Sequence, residues 1–393
     1  MKKVLFLQIK GNSYGGVGFV NKVLAESLSN NNFDVEIMSV RDSFSGLDLD
    51  YDKRVKVSIV NKKDKWEIPH FSDVINDIKK LRFIRSLNEF FLMLIERRKL
   101  YKDYEYIKKY IINNNFNYII TSHYQLLDAI PNNYLNKTIH VHHTSFKIGY
   151  ENKSNRKYFE KFKDNITMVW LTKATCEEAK KHGYLNSYYI YNPVKFSCDK
   201  RADVVKNKKL VTIARISYEK RIDLMVSMVD DILKDNELSD WSLEIYGDGD
   251  CKADIINMDY NKEKIKFMGI TSNVKDVLLN SSINLNTSLF EGFAMGILEG
   301  NECGVPTVSF NFGESVSEEI IQNSTGIYID QNDINSYKSE LKELMKDKKK
   351  LETMSINCKN FSNNFQVKKI TEEWIKLFDV VDKKQGINDD KEK

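Results

Sequence analysis

Short apolar runs alternate with amphipathic segments along most of the chain. The first series of runs is KVLFLQI, DVEIMSV, NYIITSH, TIHVHH, MVWLT and SYYIYNP, and the second is KLVTIAR, SLEIYGDG, KIKFMGI, SINLNTS, PTVSF and GIYID. Strands that are apolar along nearly their whole length are typical of parallel sheets covered by helices on both faces. The pattern therefore predicts an α/β protein with two parallel sheets built from βαβ units.

The apolar pattern lapses between the two series, and we expect the domain boundary there. Pro193 interrupts the pattern, and the lysine-rich segment that follows it has no apolar periodicity as far as Lys208. A chain of 393 residues also exceeds the size at which one core usually stops growing. The predicted segments are an N-terminal domain (1–195), a C-terminal domain (205–365), a final helix (366–380) and a disordered tail of low apolar content (381–393).

Composition narrows the class of protein. Hydrophobic residues at 41% and charged residues at 30% are ordinary for a globular chain, and the longest apolar run, Phe90 to Ile95, is too short to span a bilayer. The five cysteines form no C-x-x-C pair, which favours a reducing compartment and argues against a zinc site. No signal peptide is visible, so we expect a cytoplasmic protein. A net charge of +4 without a nucleic-acid-binding motif predicts no nucleic acid partner.

One segment of the first half departs from the alternation of strands and helices. Between Ile78 and Ile112, basic residues from Lys79 to Lys109 interleave with phenylalanines and tyrosines at helical spacing. The simpler interpretation is a pair of helices with solvated basic faces packed on the sheet. A basic and aromatic surface can also lie on an anionic membrane, and the two interpretations can coexist.

The stretch EGFAMGILEGNECGVPTVSF, Glu291 to Phe310, places two carboxylates on either side of a predicted helix start. The backbone N–H groups of Gly292, Phe293, Ala294, Met295 and Gly296 would lie at that helix N-terminus, which is a ready anion site. Glu291 precedes the helix and Glu299 lies about one turn inside it, so both can face a ligand made of polyol, diphosphate and polyol. Taken alone, the pair would be interpreted as a helix cap, Glu291, and a residue of a solvated helix face, Glu299.

Two basic residues follow the strand KLVTIAR. Arg215 ends that strand and Lys220 begins the next helical segment. As isolated residues they would be read as surface ion-pair partners. Ligands of open α/β sheets, however, bind at the carboxyl ends of strands, and fixed cations there can stabilise a leaving diphosphate.

The first half carries weaker signals. Gly15, Gly16 and Gly18 form a loop between the first strand and first helix, which lets a ligand approach the backbone, although its spacing is not that of the dinucleotide fingerprint. His140, His142 and His143 end a later strand and alternate between its faces, so they do not converge like a metal triad. We expect His143 to line the cleft and the other two to be core residues.

We predict no essential metal. The triplets Asp48-Leu49-Asp50 and Asp248-Gly249-Asp250 read as a polar loop and a turn rather than a metal-binding pair at a strand end.

Together these motifs make the sequence resemble the retaining glycosyltransferases of family 4. The resemblance runs through nearly the whole chain and rests on the Gly15-Gly16 loop, the histidine after a mid-domain strand, LTKATCEEAKKHG before YNP, AR-x4-K, EIYGDGD, IKFMG and E-x7-E with its C-G-V-P continuation. It implies the GT-B fold, in which two Rossmann-like domains face each other across a cleft and a final helix crosses back to the first domain.

The resemblance also implies residue roles. Glu291 and His143 would contact the donor sugar, Glu299 the ribose, and Arg215 and Lys220 the diphosphate together with the amides of residues 293 to 296. Gly16 would close on the donor from the opposite domain. The family retains anomeric configuration without an obvious protein nucleophile and needs no metal for donor binding. Departures from its pattern are Arg221 in place of a glycine, Ala294 in place of a proline and Gly300 in place of an alanine.

The implied function is transfer of a sugar from a nucleotide-sugar donor, UDP-linked by preference, to a glycan or lipid-linked acceptor in bacterial surface-polysaccharide biosynthesis. Its place would be the cytoplasm or the inner face of the plasma membrane. Two alternatives remain open at this point: a GT-B binding or chaperone-like protein without catalysis, and a GT-B nucleotide-sugar epimerase.

Overall fold

A computed structural model describes residues 1–10, 16–41, 49–61 and 83–389, which form two parallel sheets with helices on both faces. Within those ranges the first sheet has seven strands and the second has six. The first comprises β1 (Lys2–Lys10), β2 (Phe33–Arg41), β3 (Lys56–Asn61), β4 (Tyr118–Thr121), β5 (Thr138–His142), β6 (Thr167–Trp170) and β7 (Ser187–Tyr189). The second comprises β8 (Lys209–Ile213), β9 (Ser242–Tyr246), β10 (Ile265–Gly269), β11 (Ile283–Asn286), β12 (Thr307–Phe310) and β13 (Gly326–Ile329). The predicted two-sheet α/β architecture is confirmed.

Helices connect the strands and cover both sheets. Those of the first half are α1 (Gly16–Asn30), α2 (Phe83–Asn114), α3 (Phe146–Glu151), α4 (Lys153–Phe162) and α5 (Lys173–Lys181). Those of the second half are α6 (Val204–Asn207), α7 (Ile222–Ile232), α8 (Lys252–Ile256), α9 (Val274–Leu279), α10 (Met295–Glu302), α11 (Val316–Glu319), α12 (Ile334–Lys346), α13 (Lys348–Ser362) and α14 (Val367–Asp389). Short 3-10 turns lie at Tyr124–Ala129, Asn132–Lys137, Tyr218–Lys220, Asn236–Leu238 and Asn363–Phe365.

The continuous apolar strands are buried on both faces, as their sequences predict. In β1, Val4 and Phe6 belong to one core cluster and Leu5 and Leu7 to another, because successive side chains point to opposite faces of the sheet. All four are at most 1% exposed. Each fully buried apolar side chain of this size contributes about 1.5–3 kcal/mol relative to its exposed state.

The strand order places a crevice in each domain. The first sheet runs β3-β2-β1-β4-β5-β6-β7 and the second β10-β9-β8-β11-β12-β13, and every pairing is parallel. The order reverses between β1 and β4 and again between β8 and β11, and ligands of such sheets bind at the carboxyl ends of the strands at these points. Gly16 follows β1, Arg215 follows β8 and Glu291 follows β11, so the predicted residues lie at the two switch points.

The final helix α14 packs on the first domain and extends further than the sequence predicts. Thr371 Oγ1 donates a 2.7 Å hydrogen bond to Ser27 Oγ of α1. The predicted disordered tail from 381 is corrected, because the helix continues to Asp389. Val381 is buried, and Asp382 accepts a 2.8 Å hydrogen bond from the Tyr118 hydroxyl and pairs with Lys2, so contacts with β1 and β4 order this part. Residues 390–393 lie outside the described residues.

The basic and aromatic segment is described only in part. From Phe83 onward it forms one 32-residue helix, α2, in place of the predicted pair of helices. Lys79 and its neighbours up to residue 82 lie outside the described residues. Towards the end of α2, Tyr101 and Tyr106 are more than half exposed, whereas Ile107 is fully buried. Among the helices described, not one combines the length and apolar character needed to cross a bilayer.

Candidate active site

A cavity of 760 Å³ lies between the two domains, beside the switch point of the second sheet. The first domain contributes Gly16 and Phe19 of α1, and the second contributes side chains that follow β8, β9, β10 and β11. This volume lies within the roughly 300–1,000 Å³ typical of ligand pockets. Nine predicted site residues line it, namely Gly16, Arg215, Lys220, Glu291, Phe293, Ala294, Met295, Gly296 and Glu299.

Lys220 and Glu291 form an ion pair at the cavity wall. The Lys220 ammonium contacts Oε1 of Glu291, which also accepts a 2.7 Å hydrogen bond from the Ser288 hydroxyl. Lys220 lies in the turn Tyr218–Lys220, and Thr287 Oγ1 donates a 2.7 Å hydrogen bond to its carbonyl. The side chains that follow β8 and β11 therefore hold each other in place.

Arg221, where the family pattern has a glycine, adopts a left-handed backbone conformation with φ of 50°. Glycine takes this conformation without a steric penalty, which explains the usual preference. Here the Arg221 guanidinium donates a 2.9 Å hydrogen bond to Asn332 Oδ1 and lies 5.8 Å from the centre of the Phe310 ring. These contacts anchor the strained turn that presents Lys220.

Arg215 differs from Lys220 in forming no direct ion pair in the described part of the chain, although its charge helps to lower the pKa of Glu219. It is exposed, and it lines both the main cavity and a smaller one of 220 Å³ next to it. An unpaired cation at the carboxyl end of a strand is free to bind an anionic group of a ligand.

Glu299 lies in the second turn of α10 and is only 3% exposed. Its Oε1 is 2.7 Å from the Lys195 ammonium. Lys195 follows Pro193 in the segment between the two sheets, and it lines the same cavity. A buried carboxylate next to a lysine thus forms the second charged pair of the site.

The N-terminus of α10 is less open to an anion than the sequence predicts. The Ala294 amide is not available, because it donates a 2.8 Å hydrogen bond to Oε2 of Glu319. Burial raises the pKa of Glu319 well above its usual value, and the nearby Glu291 carboxylate raises it further. Through this hydrogen bond, the buried Glu319 side chain anchors the loop between Glu291 and α10.

Gly292 lies against the backbone of the first domain. A Cβ atom built on it would be 2.0 Å from the carbonyl oxygen of His143 and 2.8 Å from Cα of Thr144. Atoms this close would clash, so glycine is required here for the contact between the domains. Gly292 does not line the main cavity and belongs to the smaller one.

His143 lies in the smaller cavity, next to Arg215, Lys220 and Glu291. Its Nε2 is 2.9 Å from the Ser122 hydroxyl, which follows β4. Burial lowers the pKa of His143 to about 3, so its ring is neutral at physiological pH. A neutral imidazole can donate one hydrogen bond and accept another, which suits contact with a hydroxyl group.

The other two histidines of β5 are core residues. His142 is hydrogen-bonded through Nδ1 to the Tyr124 hydroxyl and through Nε2 to Thr144 Oγ1 at 2.9 Å. His140 is fully buried, and neither of its ring nitrogens has a partner among the described residues. It packs 4.4 Å from the Tyr124 ring, centre to centre.

Within the described residues, no three His, Cys, Asp or Glu side chains are grouped as metal ligands would be. Asp48 lies outside those residues. Asp248 pairs at 3.3 Å with Lys252 on the surface, in a turn where Gly247 and Gly249 pack against backbone carbonyls of the neighbouring strand segment. Metal-independent donor binding stays a prediction.

Sequence reasoning missed Lys195, Phe19 and Glu319. The letters YNPVKF contain Lys195, but its pairing with Glu299 depends on how the connecting segment crosses α10. Glu319 follows β12, more than twenty residues after the loop it anchors, and no local pattern links the two.

The chain is similar in sequence to known glycosyltransferases. Residues 197–361 match the family model of glycosyl transferases group 1. Over 383 residues, the chain is 22% identical to an uncharacterized glycosyltransferase of Haemophilus influenzae, covering 95% of this chain and 99% of that protein. Over 251 residues it is 27% identical to the poly(ribitol-phosphate) alpha-N-acetylglucosaminyltransferase of Staphylococcus aureus, covering 61% of this chain but only half of that enzyme.

Solved structures share the fold over nearly the whole chain. The crystal structure of TarM superposes with a TM-score of 0.74 at 15% identity, covering 96% of this chain and 99% of TarM. Anabaena HepE in complex with UDP and glucose superposes with a TM-score of 0.66 at 14% identity, covering 97% and 100% of the two chains. With its two facing parallel-sheet domains this chain has the GT-B fold, and its second domain matches the family model of the glycosyl transferases group 1.

Proposed function

We propose that this protein is a retaining, metal-independent hexosyltransferase that uses a nucleotide-sugar donor, UDP-linked by preference. Its acceptor would be a glycan or a lipid-linked glycan precursor of a bacterial surface polysaccharide. The observation that carries the proposal is the interdomain cavity, in which the Lys220–Glu291 and Lys195–Glu299 pairs flank the N-terminus of α10 beside the unpaired Arg215.

The chemistry of that cavity fits a nucleoside diphosphate sugar. Arg215 and Lys220 would bind the diphosphate and stabilise the charge that develops on it as the sugar leaves, an effect worth roughly 2.7–4 kcal/mol per donor in comparable sites. Glu291 and His143 would accept and donate hydrogen bonds at the sugar hydroxyls. Because Glu291 is already bound to Lys220 and Ser288, its role would be orientation of the sugar rather than nucleophilic attack.

Relatives support the substrate class. One relative is named for UDP-Gal as donor and a diphosphoundecaprenol-linked acceptor, and another for poly(ribitol-phosphate) as acceptor. HepE binds UDP in its crystals, together with glucose. Because these relatives use or bind such compounds, UDP-sugars are the first donors to test, and polymers or lipid-linked glycans are the first acceptors.

Thermal unfolding with a panel of UDP-, GDP-, dTDP- and CMP-sugars tests donor use. A ligand at a hundred times its Kd stabilises the folded state by about 2.7 kcal/mol, so one nucleotide should raise Tm selectively. The stabilising donor is then incubated with crude lipid acceptors and EDTA, and the anomeric configuration of the product is read by NMR. Absence of nucleotide release with every donor and acceptor would contradict the proposal, and conversion of the donor without an acceptor would indicate an epimerase.

We also propose that the segment from Lys79 to Lys109 contacts an anionic membrane surface. Each cation near the headgroups contributes about 1 kcal/mol, and salt screens this attraction. Liposomes containing anionic lipid should retain the protein at low salt and release it at high salt. A lack of retention at low salt would leave the basic face of α2 as a solvated surface.

A further inference from the structure

We propose that Cys198 and Cys303 form a site of reversible oxidative modification, at which hydrogen peroxide converts the two thiols into a disulfide bond. Cys198 lies in the segment between the two sheets, and Cys303 directly follows α10. The two residues are separated by 105 positions, so no C-x-x-C motif marks the pair in the sequence. The site lies outside the cavity, and the inference does not depend on the proposed reaction.

The first observation is a direct contact between the two sulfur atoms. Cys198 Sγ lies 3.0 Å from Cys303 Sγ, and both residues are free thiols. Since a disulfide bond is about 2.05 Å long, the sulfurs need to approach by only about 1 Å to form one. Both side chains are buried in the core of the second domain.

Hydrogen bonds next to the pair hold the two segments against each other. The Cys198 amide donates a 2.8 Å hydrogen bond to Oε1 of Glu302, the last residue of α10. The Ala202 amide donates a 2.8 Å hydrogen bond to the Cys303 carbonyl. Glu302 is itself fully buried and paired with Lys359 at 2.5 Å. The two thiols therefore face each other between anchored backbones, and the bond can form without a rearrangement of the chain.

Another buried cysteine of the same domain has a different kind of partner. Cys358 in α13 is fully buried, and its Sγ donates a 3.0 Å hydrogen bond to the Thr325 carbonyl. Burial raises the pKa of this thiol, so it remains protonated. Cys358 is therefore a structural residue and provides the matched control for the Cys198–Cys303 pair.

Cys198 is the thiol that reacts first. Its contact with Cys303 lowers the pKa of Cys198, whereas the same contact and burial raise the pKa of Cys303. The thiolate is the nucleophile in cysteine chemistry. Cys198 lies in an irregular segment, and its neighbours Ser197 and Asp199 are exposed. Local opening of such a segment lets a molecule as small as hydrogen peroxide reach the sulfur.

The chemistry proceeds in two balanced steps. The Cys198 thiolate attacks one oxygen of hydrogen peroxide, the O–O bond breaks, and a sulfenic acid and hydroxide form. The Cys303 sulfur then attacks the Cys198 sulfur, its proton leaves with the sulfenic hydroxyl as water, and the S–S bond forms. In total the two thiols lose two electrons and two protons, and one peroxide becomes two water molecules.

The bond fixes the segment between the two sheets to the end of α10. Lys195 and Phe196 of that segment line the cavity, and so do residues of the first two turns of α10. A cross-link that closes a long loop stabilises a protein mainly by constraining its unfolded chain. Oxidation therefore stabilises the second domain around the cavity without placing a new group inside it.

The test counts free thiols before and after oxidation of the folded, full-length protein. The protein is treated with hydrogen peroxide, the peroxide is removed with catalase, and thiols are titrated after unfolding in guanidinium chloride. The count should fall from five to three, and dithiothreitol should restore it. Mass spectrometry of a digest should find one pair of peptides linked through Cys198 and Cys303. The Tm of the linked protein should be higher by about 4–16 °C.

Single variants assign the reacting thiols. Cys198→Ser and Cys303→Ser each contain four thiols, and the count should stay at four in hydrogen peroxide with no rise in Tm. In the control Cys358→Ser the count should fall from four to two, as the pair is intact. Should Cys303→Ser fail to fold, Cys303→Ala keeps the buried position apolar and serves as the second variant.

Three results would overturn the inference and leave the proposed function untouched. They are retention of all five thiols, a linkage between other cysteines, and a loss of thiols that dithiothreitol does not reverse. An unchanged Tm in the linked protein would overturn the stabilising effect assigned to the bond.

Discussion

The hydroxyl of Tyr191 donates a 2.7 Å hydrogen bond to the carboxylate of Glu318, and this bond joins the two domains. Tyr191 follows the last strand of the first sheet, and Glu318 lies in α11 of the second domain. The same carboxylate accepts hydrogen bonds from the amides of Lys173 and Ala174 at 2.8 and 2.7 Å. Since those amides begin α5, Glu318 also lies at the positive end of a helix of the first domain.

Loss of this contact should weaken the association of the two domains. Glu318→Ala removes three hydrogen bonds to a charged group, and we expect a loss of about 1–3 kcal/mol of interdomain stabilisation. Small-angle scattering should then show a larger radius of gyration, and donor KM should rise. Glu314→Ala removes an exposed carboxylate just before α11 and should change neither quantity. Unchanged scattering for Glu318→Ala would show that other contacts hold the domains together.

The two cations of the cavity should dominate turnover. Arg215→Ala and Lys220→Ala should each lower kcat by about two orders of magnitude, because a lost donor to the leaving group costs roughly 2.7–4 kcal/mol. Lys338→Ala removes a surface ion pair with Asp231 and serves as the control. A less than threefold effect of both cavity substitutions would exclude their role at the diphosphate.

The buried histidines should make the first domain acid-sensitive. Burial lowers the pKa of His123 and His142 to about 4 and that of His140 well below its usual value. The unfolded chain takes up protons below about pH 6.5 while the folded chain does not, so stability is full above that pH and falls towards pH 4.

Urea unfolding between pH 8 and pH 4 measures this dependence. His140→Phe keeps a ring next to Tyr124 without titratable nitrogens. It should reduce the loss of unfolding free energy between pH 7 and pH 5 by about 1–2 kcal/mol. An identical pH dependence in the variant and the wild type would mean that His140 is not the group that titrates.

Glu319 should have the opposite dependence on pH. Because its folded pKa is raised above the unfolded value, its contribution to stability is present below about pH 4.5 and is lost as the pH rises towards the folded pKa. Glu319→Gln still accepts from the Ala294 amide and carries no titratable group, so it should gain stability relative to the wild type as pH rises from 5 to 8. Glu319→Ala, which leaves that amide unpaired, should lose about 1–3 kcal/mol at every pH.

Local patterns were sufficient for the sheets and for part of the site. The apolar runs predict the strands because each is buried on both faces, and the positions of Glu291 and Glu299 relative to α10 follow from helix geometry alone. Contacts between distant segments were not predictable. Lys195 pairs with Glu299 because the segment between the two sheets passes next to α10. Asp382 pairs with Lys2, from which it is separated by nearly the full length of the chain.

Backbone donors that the sequence predicts to be free can also be hydrogen-bonded to residues from distant segments. The Ala294 amide seemed available for an anion, but the Glu319 carboxyl, brought from a different βα unit, takes it. Helix α14 extends beyond the predicted end because tertiary contacts at Val381 and Asp382 outweigh the low apolar content of the segment.

Gly292 lies so close to the His143 carbonyl that the methyl group of an alanine at this position would force the two domains apart. In the described arrangement the two main chains are so close that even an alanine side chain must push the halves of the molecule apart. Substitution there would change the spacing of the halves and leave the cavity's charged groups intact. Such a variant would therefore hold the two domains further apart and widen the cavity between them.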